Sequence, residues 1–221
     1  KDDGSEVGMI PPTMTVESKL AHGHNIQLRD FEYLKSVTGQ TAKVCIPSPS
    51  MLHFRGGRKA ISETIYPELD VFYADLAAAY NAEVRALADA GLRYLQFDDT
   101  NFAYLCDGKI RAATRAMGED PDILPRTYCR LINESIAGRP DDMAVTVHMC
   151  RGNFRSAWVA QGGYEPVADI LFNELDVDGF FMEYDDDRSG DFAPLRFLPE
   201  GKTVVLGVMT TKRPDLESVD E

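Results

Sequence analysis

The sequence predicts an α/β fold built on a parallel sheet, and three observations carry that expectation. Short apolar runs alternate with helical stretches, the runs are apolar at nearly every position, and most of them stop at polar, chemically capable residues. Lys43-Val44-Cys45-Ile46 reads as a strand that breaks at Pro47-Ser48-Pro49-Ser50. From about residue 62 to 90, Val71, Leu76, Ala79, Val84 and Leu87 recur near helical spacing, which predicts a long helix ending at Gly91. Residues 92–97 form the next strand, which stops at Asp98-Asp99.

A helix over 122–137 is expected next, with Gly138-Arg139-Pro140 as its stop. Residues 143–147 are a third strand, running into His148-Met149-Cys150. Residues 164–175 read as helix, and Gly179-Phe180-Phe181-Met182 as a strand ending at Glu183. Residues 203–209 are the last such strand, followed by Thr210-Thr211-Lys212-Arg213-Pro214. A further strand is expected around Met14-Thr15-Val16-Glu17, after Pro11-Pro12. These units, about six of them, make part of a TIM (β/α)8-type barrel. A complete barrel typically takes about 250 residues, and this chain has 221. One domain over residues 1–221 is expected, without the first two strands and the closing C-terminal segment, because an open arc leaves two unpaired edges.

Bulk properties narrow the function classes. The net charge of −13 and pI near 4.7 disfavour a phosphate backbone or an anionic membrane surface as partner, and serve solubility equally well. No run approaches the roughly 18 apolar residues of a membrane span, and Lys1-Asp2-Asp3-Gly4-Ser5-Glu6 has no apolar signal core. Cys45, Cys106, Cys129 and Cys150 are too scattered for a disulfide framework, so reduced thiols in a cytoplasmic enzyme are expected.

Parallel α/β folds bind ligands at the carboxyl ends of their strands. Those ends here carry Ser48, Asp98, Asp99, His148, Cys150, Glu183, Asp185 and Lys212. His148 and Cys150 are two residues apart, so extended backbone points imidazole and thiol to one side, where they can converge on one ion. Glu183 ends the neighbouring strand and is the natural third ligand; a nitrogen, sulfur and oxygen set suits zinc. A packed core pair is the competing reading of His148 and Cys150. Adjacent Asp98 and Asp99 face opposite ways, and Asp98 is assigned to the site. His22-Gly23-His24 reads as surface histidines, Asp185-Asp186-Asp187 as a solvated acidic turn, and Arg55-Gly56-Gly57-Arg58-Lys59 as an exposed basic loop. Cys45 and Cys129 read as core thiols.

Together these motifs resemble the catalytic domain of the cobalamin-independent methionine synthase family, and in particular its shorter single-barrel members. Gln96-Phe97-Asp98-Asp99-Thr100 stands where the family has Gln-x-Asp-Glu-Pro, and Val147-His148-Met149-Cys150 matches its Thr-His-Met-Cys zinc motif. Phe181-Met182-Glu183 is similar to its strand-terminal zinc glutamate. The stretch from Cys45 through Ser50 to Phe54 resembles the segment lining the folate side, which offers Ser48 and His53 as substrate contacts.

The resemblance implies a methyltransferase with Zn(2+) on His148, Cys150 and Glu183. Such an enzyme moves a methyl group from a methylated folate or another donor to the thiolate of homocysteine, giving methionine. Asp98 would hold the amino acid's ammonium group. Lys212 stands where the family has a histidine proposed as the acid, and could donate a proton or bind an anion. The implied partners are the thiol and the methyl donor, with a homo-oligomer allowed and neither nucleic acid nor membrane involved. Three departures stand out. No cysteine follows Cys150 to act as the family's fourth ligand, Asp99-Thr100 replaces Glu-Pro, and His53-Phe54 stand where the folate side often has tryptophan. Two other readings remain open: a metal-free barrel enzyme of the uroporphyrinogen decarboxylase type, and an incomplete barrel without turnover.

Overall fold

The computed structural model describes residue 8 and residues 12–214. Five strands form one sheet in sequence order: β1 (Val44–Pro47), β2 (Tyr94–Asp98), β3 (Ala144–Met149), β4 (Gly179–Glu183) and β5 (Thr203–Gly207). Every pairing is parallel. The helices are α1 (Leu28–Val37), α2 (Met51–Phe54), α3 (Leu69–Asp89), α4 (Asn101–Tyr104), α5 (Gly108–Ala116), α6 (Leu124–Ser135) and α7 (Glu165–Glu174).

The two-residue period of a strand divides the sheet into two unlike faces. On one face Val44, Ile46, Leu95, Phe97, Val145, Val147 and Phe180 are buried under α3, α6 and α7, whose Val84, Leu87, Tyr128, Ile132, Leu171 and Phe172 complete one core. The other face carries Cys45, Gln96, Asp98, Thr146, His148 and Phe181. The polar face is the one left for chemistry. Its strand ends are pinned to one another: Ser48 N donates to Asp98 O at 2.9 Å and Asp99 N to His148 O at 2.8 Å.

Several expected elements change at their borders. The long helix starts at Leu69 rather than near 62, because Pro67 lacks the amide a helix interior needs and residue 68 is held extended. It does end at Gly91, whose φ of +100° closes the helix in the left-handed region, with Leu92 N donating to Leu87 O. The strand expected at 14–17 reduces to a single bridge. Val16 pairs with Ile61 and is the buried member of that stretch, while Thr13, Met14, Thr15 and Glu17 are exposed, so no sheet face exists for them to share. The described residues therefore hold five strands where about six units were expected. Helices α1 and α5 were not foreseen. Asp107 caps α5 by accepting from the amides of Lys109 and Ile110.

Two thiol and charge assignments are corrected as well. Cys129 is a core thiol, but Cys45 is exposed, because its position in β1 points to the open face. The acidic run at 185–187 is not solvated throughout: Asp185 has only 4% of its side chain exposed and is paired with Arg188.

Candidate functional site

His148, at the end of β3, Cys150, just beyond it, and Glu183, at the end of β4, line one cavity of 320 Å³. Lys212, from the loop after β5, closes one side, and Asn153, Asp185 and Thr211 complete its polar lining. Parallel register explains the convergence. His148 is opposite Phe181, so Cys150 falls level with Glu183 on the neighbouring strand. Thus five of the strand-end residues singled out from sequence, His148, Cys150, Glu183, Asp185 and Lys212, meet at one place.

The Glu183 carboxylate is heavily engaged. Its Oε2 accepts from Arg151 N at 2.6 Å, and its Oε1 accepts from Lys212 Nζ at 3.0 Å and from both terminal nitrogens of Arg188 at 3.2 Å. Asp185 shares two of these cations, with Arg188 at 2.9 Å and Lys212 at 3.5 Å. Burial pushes the Asp185 carboxyl up, but the Thr210 hydroxyl, Lys212 and Arg188 outweigh it and hold the group below its ordinary value. Burial pushes the Cys150 thiol up, with Glu183 and Asp98 adding to the rise and the Gly152 amide and Lys212 opposing it. An unassisted Cys150 is therefore a protonated thiol at neutral pH.

Behind the cavity lies a support that sequence reading missed. Arg151 is fully buried, and its guanidinium donates to the carbonyls of Gly162 (2.7 Å), Glu183 (3.0 Å) and Ser189 (3.2 Å). The Tyr164 hydroxyl donates to Met149 O and accepts from Glu183 N, both at 3.0 Å, which ties the ends of β3 and β4 together. Arg188 stacks on Trp158, 4.9 Å from the ring centroid. The available sequence signal was weak: Arg151 directly follows the His-Met-Cys run, and Arg188 follows three aspartates.

Asp98 stands on β2 in register with His148 and is exposed, as its assignment to the site required, while Asp99 is fully buried. It is not in the lining of the His148 cavity. Ser48 and His53 lie elsewhere again. Ser48 is 1% exposed, and its hydroxyl is 2.9 Å from that of Ser50, which donates to Asp99 Oδ2 at 2.6 Å. Two backbone amides, of Asn101 and Phe102, bond the other Asp99 oxygen. Burial raises the Asp99 carboxyl, against the lowering effect of those bonds. His53 is buried, with Nδ1 2.9 Å from the Tyr128 hydroxyl and Nε2 3.4 Å from Glu119, and burial lowers its basicity. Neither Ser48 nor His53 offers surface to a ligand.

His22 also departs from expectation. It is half-buried, 2.8 Å from Glu83, and lines a second cavity of 450 Å³ with His24, Tyr80 and Ile46.

The donor types around the first cavity fit zinc, which takes nitrogen, sulfur and carboxylate oxygen from few residues. Their present arrangement does not yet form a metal cradle. Among the described residues no group of three or more His, Cys, Asp or Glu side chains stands ready to hold an ion, and the Glu183 carboxylate is taken up by Lys212, Arg188 and the Arg151 amide. No helix among them is long and apolar enough to cross a membrane.

Comparison with known proteins agrees with this picture. Residues 30–221 match the family model described as the cobalamin-independent synthase catalytic domain. The uncharacterized protein YxjH of Bacillus subtilis is 44% identical over 211 residues, which is 95% of this chain and 55% of that protein. The methionine synthase of Pyrococcus abyssi is 26% identical over 204 residues, 92% of this chain and 50% of its own. Among solved structures, a candidate vitamin-B12 independent methionine synthase from Listeria monocytogenes superposes with a TM-score of 0.71 at 39% identity. That match covers 91% of this chain and 57% of the Listeria chain. A B12-independent methionine synthase from Shewanella, in complex with selenomethionine, shares the fold at 18% identity and a TM-score of 0.62, over 88% of this chain and 52% of its own. The chain spans about half the length of the curated relatives it matches.

Proposed function

Because the chain belongs to the cobalamin-independent synthase catalytic-domain family, we propose that it carries the catalytic half of a zinc-dependent methyltransferase that acts on homocysteine in the cytoplasm. The observation that supports this most directly is the shared cavity of His148, Cys150, Glu183 and Lys212 at the carboxyl ends of the parallel strands. A metal-free decarboxylase-type site would leave a half-buried thiol and imidazole with no task.

His148, Cys150 and Glu183 would hold the zinc, with Glu183 released from one or more of its cations. When bound, zinc supplies the positive charge that lowers the pKa of a substrate thiol, so that a thiolate exists at neutral pH. Asp98 would receive the ammonium group of the amino acid as a charge-assisted hydrogen bond. The thiolate sulfur forms a bond to the methyl carbon as the bond from that carbon to the donor's nitrogen breaks. The departing nitrogen takes a proton, for which Lys212 is the nearest candidate at the cavity wall. The donor is a methylated folate or another methyl carrier.

Exposed apolar side chains on and just after the β5 edge, Val205, Leu206 and Val208, fit a barrel that continues beyond these five strands. In this reading residues 1–221 are one barrel domain whose first strands, closing segment and fourth zinc ligand come from elsewhere in a longer protein. Elemental analysis of the purified protein beside a Cys150→Ala variant tests the site. One zinc per chain, lost in the variant, supports it; full metal content in the variant removes Cys150 from the ligand set.

A further inference from the structure

The open face of the sheet holds a cation that the proposed chemistry does not use. Lys43 sits one residue before β1 and shares its parity with Cys45 and Pro47, so its side chain lies across the open face. Its Nζ is 2.5 Å from Gln96 Oε1, and lies over the rings of Tyr94 and Phe181 at 4.8 and 4.5 Å from their centroids. Gln96, itself buried, then donates from Nε2 to Asp98 Oδ1 at 2.6 Å. Three side chains from two adjacent strands thus form one directed chain, Lys43 to Gln96 to Asp98.

The direction of the chain is chemically forced. An ammonium can only donate, so the atom of Gln96 that meets Lys43 must be its oxygen. A carboxylate can only accept, so the atom that meets Asp98 must be its nitrogen. Lys43 therefore fixes which way round the Gln96 amide lies, and a charge-assisted bond at one end of the amide strengthens the donor at the other. Without Lys43 the amide is anchored at one end only, by the Asp98 carboxylate, and the side chain is free to move off that contact. With Lys43 in place, Oδ1 of Asp98 is tied down in a residue that is exposed and in register with His148.

We propose that Lys43 is a positioning residue that acts through Gln96 to hold Asp98 ready for the ammonium group of the amino-acid substrate. This rests on the assignment of Asp98 made above. It predicts a specific dependence: Lys43 should matter for ligands that carry an ammonium group and not for the same ligand without one. The two rings hold the ammonium by cation–π contact, and Gln96 is the hydrogen-bonded link from Lys43 to Asp98.

The test is calorimetric binding of L-methionine, and of its des-amino analogue 4-(methylthio)butanoate, to the full-length protein and four variants. The parent should prefer L-methionine, and Asp98→Asn should abolish the preference. Lys43→Met should weaken L-methionine about tenfold and leave the analogue unchanged, and Lys43→Arg, which keeps a donor for Gln96, should restore most of the loss. Gln96→Leu adds no charge and removes the donor to Asp98, so it should lose the preference even if Lys43→Met folds poorly. Equal weakening of both ligands, or none, in Lys43→Met and Gln96→Leu would overturn the proposal and reduce the chain to a packing feature. A parent without preference, or an Asp98→Asn variant that retains it, would instead discard the Asp98 assignment, and the proposal with it.

Discussion

Lys212 Nζ lies 3.0 Å from Glu183 Oε1, so the carboxylate proposed as a metal ligand is held by a cation from the loop after β5. A cation already on that oxygen competes with any metal for it. The same contact keeps the lysine at the cavity wall, with only 5% of its side chain exposed. Under the proposed function, metal loading and proton donation by Lys212 would therefore be linked through one carboxylate.

This linkage separates two roles for Lys212. If it competes for Glu183 and serves as the acid, Lys212→Met should bind zinc as tightly as the parent or up to about tenfold more tightly. Its turnover should nonetheless fall by about 10²-fold or more, the usual worth of a general acid. Zinc titration against a chelator and steady-state rates on the same preparation read both. A fall in zinc affinity together with turnover would make Lys212 a support of the site rather than its acid.

Asp99 offers a cleaner case, because its partners are fixed. The amides of Asn101 and Phe102 meet one oxygen, and the Ser50 hydroxyl meets the other. Asp99→Asn keeps an acceptor for both amides, and its new amino group can donate to Ser50, whose hydroxyl can turn to Ser48 at 2.9 Å. It should cost less than about 1 kcal/mol in urea unfolding, whereas Asp99→Ala orphans buried donors and should cost about 2–4 kcal/mol. An equal loss in both would mean that charge, not hydrogen bonding, is what the turn requires.

Arg151 makes a prediction about the frame rather than the chemistry. Its guanidinium fork satisfies the carbonyls of Gly162, Glu183 and Ser189 at once, from a fully buried position. Lysine keeps the charge but not the planar fork, so Arg151→Lys leaves carbonyls unmet. Thermal unfolding should show a loss of about 2–4 kcal/mol, and metal content should fall because the Glu183 carbonyl loses its donor and the Tyr164 hydroxyl, which ties Glu183 to Met149, loses the guanidinium behind it. Retained stability would show that water replaces the fork.

The strand ends were legible because hydrophobic runs and the residues that stop them are local signals. His148, Cys150 and Glu183 could be placed on neighbouring strand ends from parity and order alone. What could not be read was which partners a side chain would find across the sequence. Nothing near Glu183 announces Lys212, 29 residues away, or that Arg188 would turn back onto it. Ser48 and His53 are the converse case. Their motif resembled a ligand-lining segment, yet a serine–aspartate turn and a histidine–tyrosine contact bury both. Helix α1 escaped notice because it packs chiefly through Phe31, and a single buried residue leaves no period to detect.

Glu83 provides the pH prediction. Its carboxylate, on α3, accepts from Ile26 N at 2.9 Å and Gln27 N at 2.8 Å, and lies 2.8 Å from His22 Nε2, so it anchors the 20–27 segment to the helix. Burial pushes this carboxyl up, but the two backbone amides and His22 more than offset it, and its pKa sits below the ordinary 4.5. A depressed folded pKa means that the unfolded chain binds the proton first on acidification. The stabilisation is therefore complete above the unfolded value and is lost as the pH falls through the lower, folded one. Glu83→Gln, which cannot ionise, should be less stable than the parent by about 1–3 kcal/mol at neutral pH, the worth of hydrogen bonds to a charged group. Below about pH 5.5 the difference should shrink as the parent protonates. Urea unfolding of both proteins across that range measures it. A difference that stays flat to pH 3 would assign the anchor to shape and packing, and one that grows on acidification would reverse the sign and exclude a depressed Glu83.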